Sequence, residues 1–387
     1  MTEVSTGTVL ALLGAPPASS RNALLGTARG AGHKLAATLL SLWAAAGEDL
    51  TADESAELTL CRERIDRYRQ VWEQLRERAP DIFLLKGMTI AALYPPGVLR
   101  SAGDLDVICP SHADLWTCAR HLTAHGWQLE AFTLGPARPG DTVSHHVGAE
   151  FRLPPSDPSQ EPYAIGLFTA EIVTDVRGPA WQLARPPRSA LAASTVALTA
   201  ERWERPFRTR DLLDLALLLE HLDEAGVRQV RDDLARTGLW PEWREAMRGI
   251  RRLCGPPPVE LPHTRTAVVR ERLARPVRGA LRWCHPLRAP AFAAQYGIEG
   301  RGGRWAELAS DLVHRWAGAR RLLGAGVPLF GVPLDDEPAD RLRLVDVGRH
   351  LVARTPLGSF LLVSGAARQE WLDEARGAAP STVGTGA

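Results

Sequence analysis

The stretch "FLLKGMTIAALYPPGVLRSAGDLDVICP", residues 83–110, gathers the side chains with the most chemical promise. Asp104 and Asp106 stand two apart in one apolar run, and Lys86-Gly87 closes the apolar run before it. Side chains alternate along a strand, so Asp104 and Asp106 would converge on one face and Leu105 would take the other. Two carboxylates that close repel unless a cation lies between them. A hard divalent ion such as Mg²⁺ takes such oxygen ligands and keeps room for phosphate oxygens. A strand that ends in Lys-Gly and opens a helix offers an anion free N–H groups, a position without a side chain and a fixed positive charge. A phosphate cradle beside a two-carboxylate metal site is what nucleotidyl transfer needs. The lysine is also unusual for this chain: of 46 basic residues only Lys34 and Lys86 are lysine.

Elements must carry these groups. Helices are expected at Lys34–Ala46, Asp53–Arg78, Met88–Leu93, Ser111–His125 and Thr209–Leu222, from composition, three- and four-residue apolar steps, and caps. In Asp53–Arg78 the apolar face is Leu58, Ile65, Tyr68, Val71, Trp72 and Leu75. Short apolar runs at Ile82–Leu85, Leu105–Cys109, Trp127–Phe132, Val147–Leu153 and Ala164–Val176 read as strands. The pattern predicts an α+β fold, a small mixed-sheet module flanked by helical regions. Its expected divisions are a helical N-terminal region at 1–79, whose Gly-, Ala-, Ser- and Thr-rich residues 1–30 are loosely ordered at the start, and the α/β module at 80–188. A helical domain follows at 189–255, then a helical C-terminal region at 256–376 and a disordered tail at 377–387.

Composition narrows the function classes. The 387 residues carry 46 basic and 45 acidic side chains, a formal charge of +1, so no overall field draws the protein to nucleic acid or an anionic membrane. No basic n-region precedes an apolar segment at the N-terminus, and no run approaches the length of a spanning helix. Five scattered cysteines without C-x-x-C spacing suit a reducing compartment and predict a cytoplasmic protein. The pair His121/His125, at i and i+4, has no third ligand near it in sequence. His263–Trp283 holds six arginines against Glu271 and is expected to be a solvated helix face.

The stretch "LLKGMTIAALYPPGVLRSAGDLDVIC" resembles the uncharacterised-type nucleotidyltransferases of the DNA polymerase β-like superfamily. The likeness rests on Leu84, Leu85, Lys86, Gly87, Leu93, Tyr94, Pro95, Arg100, Asp104 and Asp106. Downstream, "RTRDLLDLALLLEHL" is similar to the helix that follows the catalytic module in that family. The likeness implies transfer of a nucleoside monophosphate from an NTP, with ATP as the expected nucleotide, to an unidentified acceptor. By the same likeness Asp104 and Asp106 would bind two Mg²⁺ ions, Lys86 and Gly87 would face the triphosphate, and Arg100 would neutralise charge there. Where the superfamily carries Gly-Ser or Gly-Gly, this chain has Gly87-Met88, which leaves the hydroxyl's part to Thr89 or to backbone N–H groups.

The likeness also implies a third carboxylate on a later strand, a metal ligand that helps deprotonate the acceptor. Glu171, Asp175 and Glu150 are the candidates. Glu171 is preferred because His145-His146 precedes its hairpin, as a His-His segment does in the family. The expected partners are a nucleotide and the acceptor, without membrane or nucleic acid. The alternative is an inactive protein of the same fold that binds without turnover.

Overall fold

In the computed structural model the described residues are 4–16, 19–137, 143–155, 157, 160–173, 181–183, 189–203, 205–257 and 303–377, with scattered positions between 259 and 295. In chain order the helices and strands begin α1 (Thr6–Leu13), α2 (Arg21–Arg29), α3 (Ala36–Ala45), α4 (Ala52–Arg78), β1 (Phe83–Leu85), α5 (Gly87–Ala91) and β2 (Leu105–Ile108). Next come α6 (His112–Ala124), β3 (Gln128–Pro136), β4 (His145–Leu153), β5 (Tyr163–Phe168), β6 (Glu171–Val173) and β7 (Trp181–Leu183). The chain continues as α7 (Ala190–Ala200), α8 (Thr209–His221), α9 (Glu224–Thr237) and α10 (Trp240–Leu253). Last are α11 (Gly303–Ala317), α12 (Ala319–Gly324), β8 (Leu329–Asp335), β9 (Arg343–Val347), β10 (His350–Thr355), β11 (Gly358–Val363) and α13 (Gln369–Gly377). The class is α+β, as the pattern predicts.

Two units form, neither of them a single run of sequence. The first takes residues 1–108, 154–165 and 171–277, and the second takes 109–153, 166–170 and 278–387. Residues 80–188, expected as one module, therefore contribute to both.

The first unit is built on helices. Its core joins Leu12, Leu39 and Leu58 from the N-terminal helices to Ile90, Leu215, Val230 and Trp243. The 27-residue α4 starts in a capping box, in which Thr51 accepts from Glu54 N–H and Glu54 accepts from Thr51 N–H. Leu58, Ile65, Tyr68, Val71 and Leu75 are buried as the periodicity requires, and Trp72 is half-buried. Within residues 1–30, expected to be loosely ordered at the start, the described part forms two helices. Ser5 and Ser20 are N-caps whose hydroxyls accept from Thr8 and Ala23. Their small polar side chains look like loop composition but act as helix starts. In the same unit, β1 and β2 pair antiparallel, with Leu85 opposite Asp106.

The second unit contains strands in the order β4-β3-β8-β11-β10-β9, antiparallel at every pairing. The helical region expected at 256–376 is thus corrected: residues 329–363 hold four strands. All six residues of β11 and five of six in β10 are buried. Strands buried on both faces, with polar residues inside as well as apolar ones, carry no alternation to separate them from a helix among Arg, Ala and Leu. Gly331 stands where a Cβ would lie 2.4 Å from the Phe132 ring, and Phe132 stacks on Phe360 at 4.5 Å.

A second cluster in this unit packs Trp371 with Val347, Val352, Leu361 and Val363. His314 stacks on Trp371 at 4.6 Å, and neither of its ring nitrogens has a hydrogen-bond partner. Burial, with help from His350 and Arg349 against Asp311, lowers its pKa from 6.5 to about 4. The unfolded chain therefore takes up the proton first, and stability falls as pH drops from 6.5 towards 4. The expected loss from this residue is about 3 kcal/mol. His314→Phe should remove that component from a urea-denaturation series run between pH 7 and pH 4.

Candidate active site

Asp104 immediately precedes β2 and Asp106 is its second residue, while Leu105 and Val107 are buried on the other face. Both aspartates line one cavity of about 600 Å³ in the first unit, together with Lys86, Gly87, Arg100, Lys34 and Glu201. The alternation rule thus gives the correct pairing of the two acids. Asp104 is exposed and has no ion-pair partner among the described residues, whereas Asp106 is half-buried.

The loop that presents Asp104 is fixed from three helices. Tyr68 of α4 is buried, and its hydroxyl donates to Gly103 O at 2.9 Å while accepting from Ala164 N–H at 3.1 Å. On α3, the Thr38 hydroxyl donates to Leu99 O and Ser41 Oγ accepts from Leu99 N–H, both at 2.8 Å. From α8, Arg210 donates to Ser101 O at 3.1 Å and to Ser101 Oγ at 2.9 Å. Such anchoring limits the freedom of a carboxylate that must hold its place.

Lys86 joins the two halves of the motif. Its ammonium lies 3.8 Å from Asp106 Oδ2 and 3.6 Å from Glu201 Oε1. Its backbone adopts φ 56° and ψ −127°, and its N–H donates to Ser194 Oγ of α7 at 3.0 Å. Positive φ is strained for any residue with a Cβ, at a cost of roughly 1–3 kcal/mol. Lys34, at φ 54°, is the only other non-glycine described residue with positive φ. Lys86→Gly and Lys86→Ala both lose the ammonium, but only the alanine keeps the strain. The glycine variant should be the more stable of the two by about 1 kcal/mol, read from urea midpoints.

Arg100 is 5% exposed, and its Nε and Nη2 reach Asp214 Oδ2 at 2.9 and 2.8 Å. Tyr94 donates to Asp214 Oδ1 at 2.8 Å, and Arg100 Nη1 donates to Gly87 O at 3.3 Å. Burial pulls the guanidinium pKa down, but the charge and hydrogen bond of Asp214 outweigh it and hold it above its ordinary value. Arg100 thus ties the Lys86-Gly87 turn to α8. The expected stand-ins for a missing hydroxyl divide: Thr89 donates to Leu84 O at 3.2 Å, whereas Gly87 lines the cavity.

The third-acid candidates fall differently. Glu150 is exposed on β4. Glu171 begins β6, paired with Leu183 of β7; its side chain lies outside the described residues, as does all of Asp175. Among the described residues no group of three His, Cys, Asp or Glu side chains is disposed to hold a metal ion. The histidines are engaged elsewhere: His146 is buried with Nδ1 3.2 Å from Thr169 Oγ1, and His145 O meets His112 Nε2 at 2.7 Å. The basic stretch at 263–283 and the tail beyond residue 377 lie mostly or wholly outside the described residues. Among the described residues no helix is long and apolar enough to cross a membrane.

Sequence reading missed Glu201, Asp214 and the arginines at 205, 208 and 210. They stand on the 3-10 turn Glu201–Trp203, on α8 and on the link between them. The signal was present in the charge density of "ERWERPFRTRDLLDLALLLEHL", where acids and arginines are interspersed before a helix whose residues are mostly buried. Buried acids there require cationic partners.

No curated protein and no solved structure matches the chain. A family model described as "Uncharacterised nucleotidyltransferase" matches residues 55–255, just over half of it. That segment contains Lys86, Gly87, Arg100, both aspartates and all of α8, and the chain belongs to this nucleotidyltransferase family.

Proposed function

We propose that the protein moves a nucleoside monophosphate from an NTP, with ATP the expected donor, to an acceptor hydroxyl or comparable group, using Mg²⁺ held by Asp104 and Asp106. The observation that carries this is the meeting of both aspartates with Lys86 and Gly87 in one cavity of about 600 Å³. Two carboxylates suit Mg²⁺, which binds through one or two such groups and completes its shell with water and phosphate oxygens. The exposed Asp104, without an ion-pair partner among the described residues, is the better placed to accept the ion. When bound, Mg²⁺ supplies electrostatic stabilisation of the transferring phosphoryl group and the departing pyrophosphate.

The chain's own residues do the rest. Gly87 lines the cavity and brings no side chain, which lets a phosphate approach the backbone. Lys86 pairs with Asp106 and Glu201, which sets its ammonium beside the reacting group. Arg100, neutralised by Asp214, holds the Gly87 carbonyl and so the turn. Glu171 remains the proposed third acid, the group that would accept the acceptor's proton.

The test is pyrophosphate release from each of the four NTPs with Mg²⁺, alongside Mg²⁺-dependent nucleotide binding. Release identifies the nucleotide and supports transfer. Binding without release, across candidate acceptors, favours the non-catalytic alternative. Failure to bind any nucleotide would sink both.

A further inference from the structure

The cavity wall carries eight basic residues against five acidic ones, and most of the cations are already committed. Lys86 faces Asp106 and Glu201, Arg29 pairs with Glu57, Arg205 with Glu201 and Asp211, and Arg100 and Arg210 with Asp214. Arg64 donates to the Glu161 and Pro162 carbonyls. Two cations of the wall, Lys34 and Arg208, have no ion-pair partner among the described residues.

Local structure brings these two together. Thr209 N–H donates to Gly32 O at 2.9 Å, Arg210 N–H to His33 O at 3.3 Å, and His33 Nδ1 meets Thr209 Oγ1 at 2.9 Å. The turn before α3 is thereby stitched to the start of α8, and Lys34 leaves that turn with φ 54°. The strained backbone is held by these bonds. Burial lowers the Lys34 pKa, and Arg208, Arg210 and Arg205 lower it further against Asp104. Like charges gathered without counterions are costly unless an anion joins them.

We propose that Lys34 and Arg208 form the polyphosphate-binding wall of the cavity and hold the β- and γ-phosphates of the nucleotide opposite Asp104 and Asp106. This rests on the nucleotidyl-transfer reading for the identity of the anion. Lys34 lies outside the segment that the family model matches, residues 55–255, so family membership does not assign it. An ammonium and a guanidinium suit pyrophosphate oxygens, and the phosphates so held are those that depart.

The test uses the full chain and inorganic pyrophosphate as the probe, titrated calorimetrically in EDTA so that the aspartates' metal plays no part. Lys34→Gln and Arg208→Gln should each weaken pyrophosphate binding about tenfold. Lys34→Arg should retain it, and adenosine binding should not change in any variant. Wild-type affinity in both glutamine variants would overturn the proposal, as would a wild type that does not bind pyrophosphate. A wild type that binds pyrophosphate through these cations yet releases none from any NTP would remove the transferase reading alone. Turnover that persists with both variants unimpaired in binding would remove this proposal alone.

Discussion

Alanine at both Asp104 and Asp106 is expected to reduce Mg²⁺-dependent pyrophosphate release by about a thousandfold or more, with the folded structure retained. Loss of a metal's stabilisation of the transferring phosphoryl group is worth several kcal/mol, and each 1.36 kcal/mol is a factor of about ten in rate. The fold should survive because Asp104 is exposed and Asp106 only half-buried. Without Asp106 the Lys86 ammonium still faces Glu201, so no buried charge is stranded. Single Asn variants keep the shapes and remove one charge each, and both should fall by more than a hundredfold if the two acids share the metal. A double variant with wild-type release would show that the chemistry lies elsewhere. The thermal transition of each variant, measured beside the rate, separates lost chemistry from lost fold.

The largest stability effect is expected at Asp214. Asp214→Ala should cost about 3–5 kcal/mol, because it leaves a buried charge without its counterion. Asp214 is wholly buried and Arg100 is 5% exposed, so water does not replace the lost carboxylate. Tyr94 loses its acceptor in the same step, and Arg210 loses a nearby charge. Replacing the pair together, Arg100→Met with Asp214→Leu, should cost less than the single change, since it removes both charges. Urea denaturation of the three proteins decides the matter: a cost under about 1 kcal/mol for Asp214→Ala would mean that Arg100 finds solvent or another partner. The same variant should release the Gly87 carbonyl from Arg100, so nucleotide binding should weaken in whatever fraction remains folded.

These two sites differ in how visible they were. The aspartate pair was legible because strand alternation is a local rule, and Asp104, Leu105 and Asp106 obey it whatever surrounds them. The capped helices were legible for the same reason, as Thr51 and Ser111 show. Asp214 was not, because its meaning depends on Arg100 from a segment over a hundred residues away, and nothing local announces the pairing. Ser5 and Ser20 misled because a cap and a loop use the same residue types. The strands at 329–363 were hidden for another reason: β11 is buried throughout, so its sequence "GSFLLV" lacks the alternation that marks a half-buried strand. Lys34 sat in plain view as one of two lysines, but its place beside Arg208 is made by main-chain bonds from Gly32 and His33 that no side-chain pattern encodes.

The scarcity of lysine has a practical corollary. Apart from the terminal amine, the chain presents amine-directed reagents with two targets, and both lie on the wall of one cavity. An acylating or reductively methylating probe therefore addresses that cavity without competing background, and peptide mass spectrometry can count the modification at each position. Lys34, its proton loosened by burial and by the neighbouring arginines, is the amine of that cavity to follow as pH rises. Protection of that amine by a bound anion gives an occupancy measurement that requires neither turnover nor an identified acceptor.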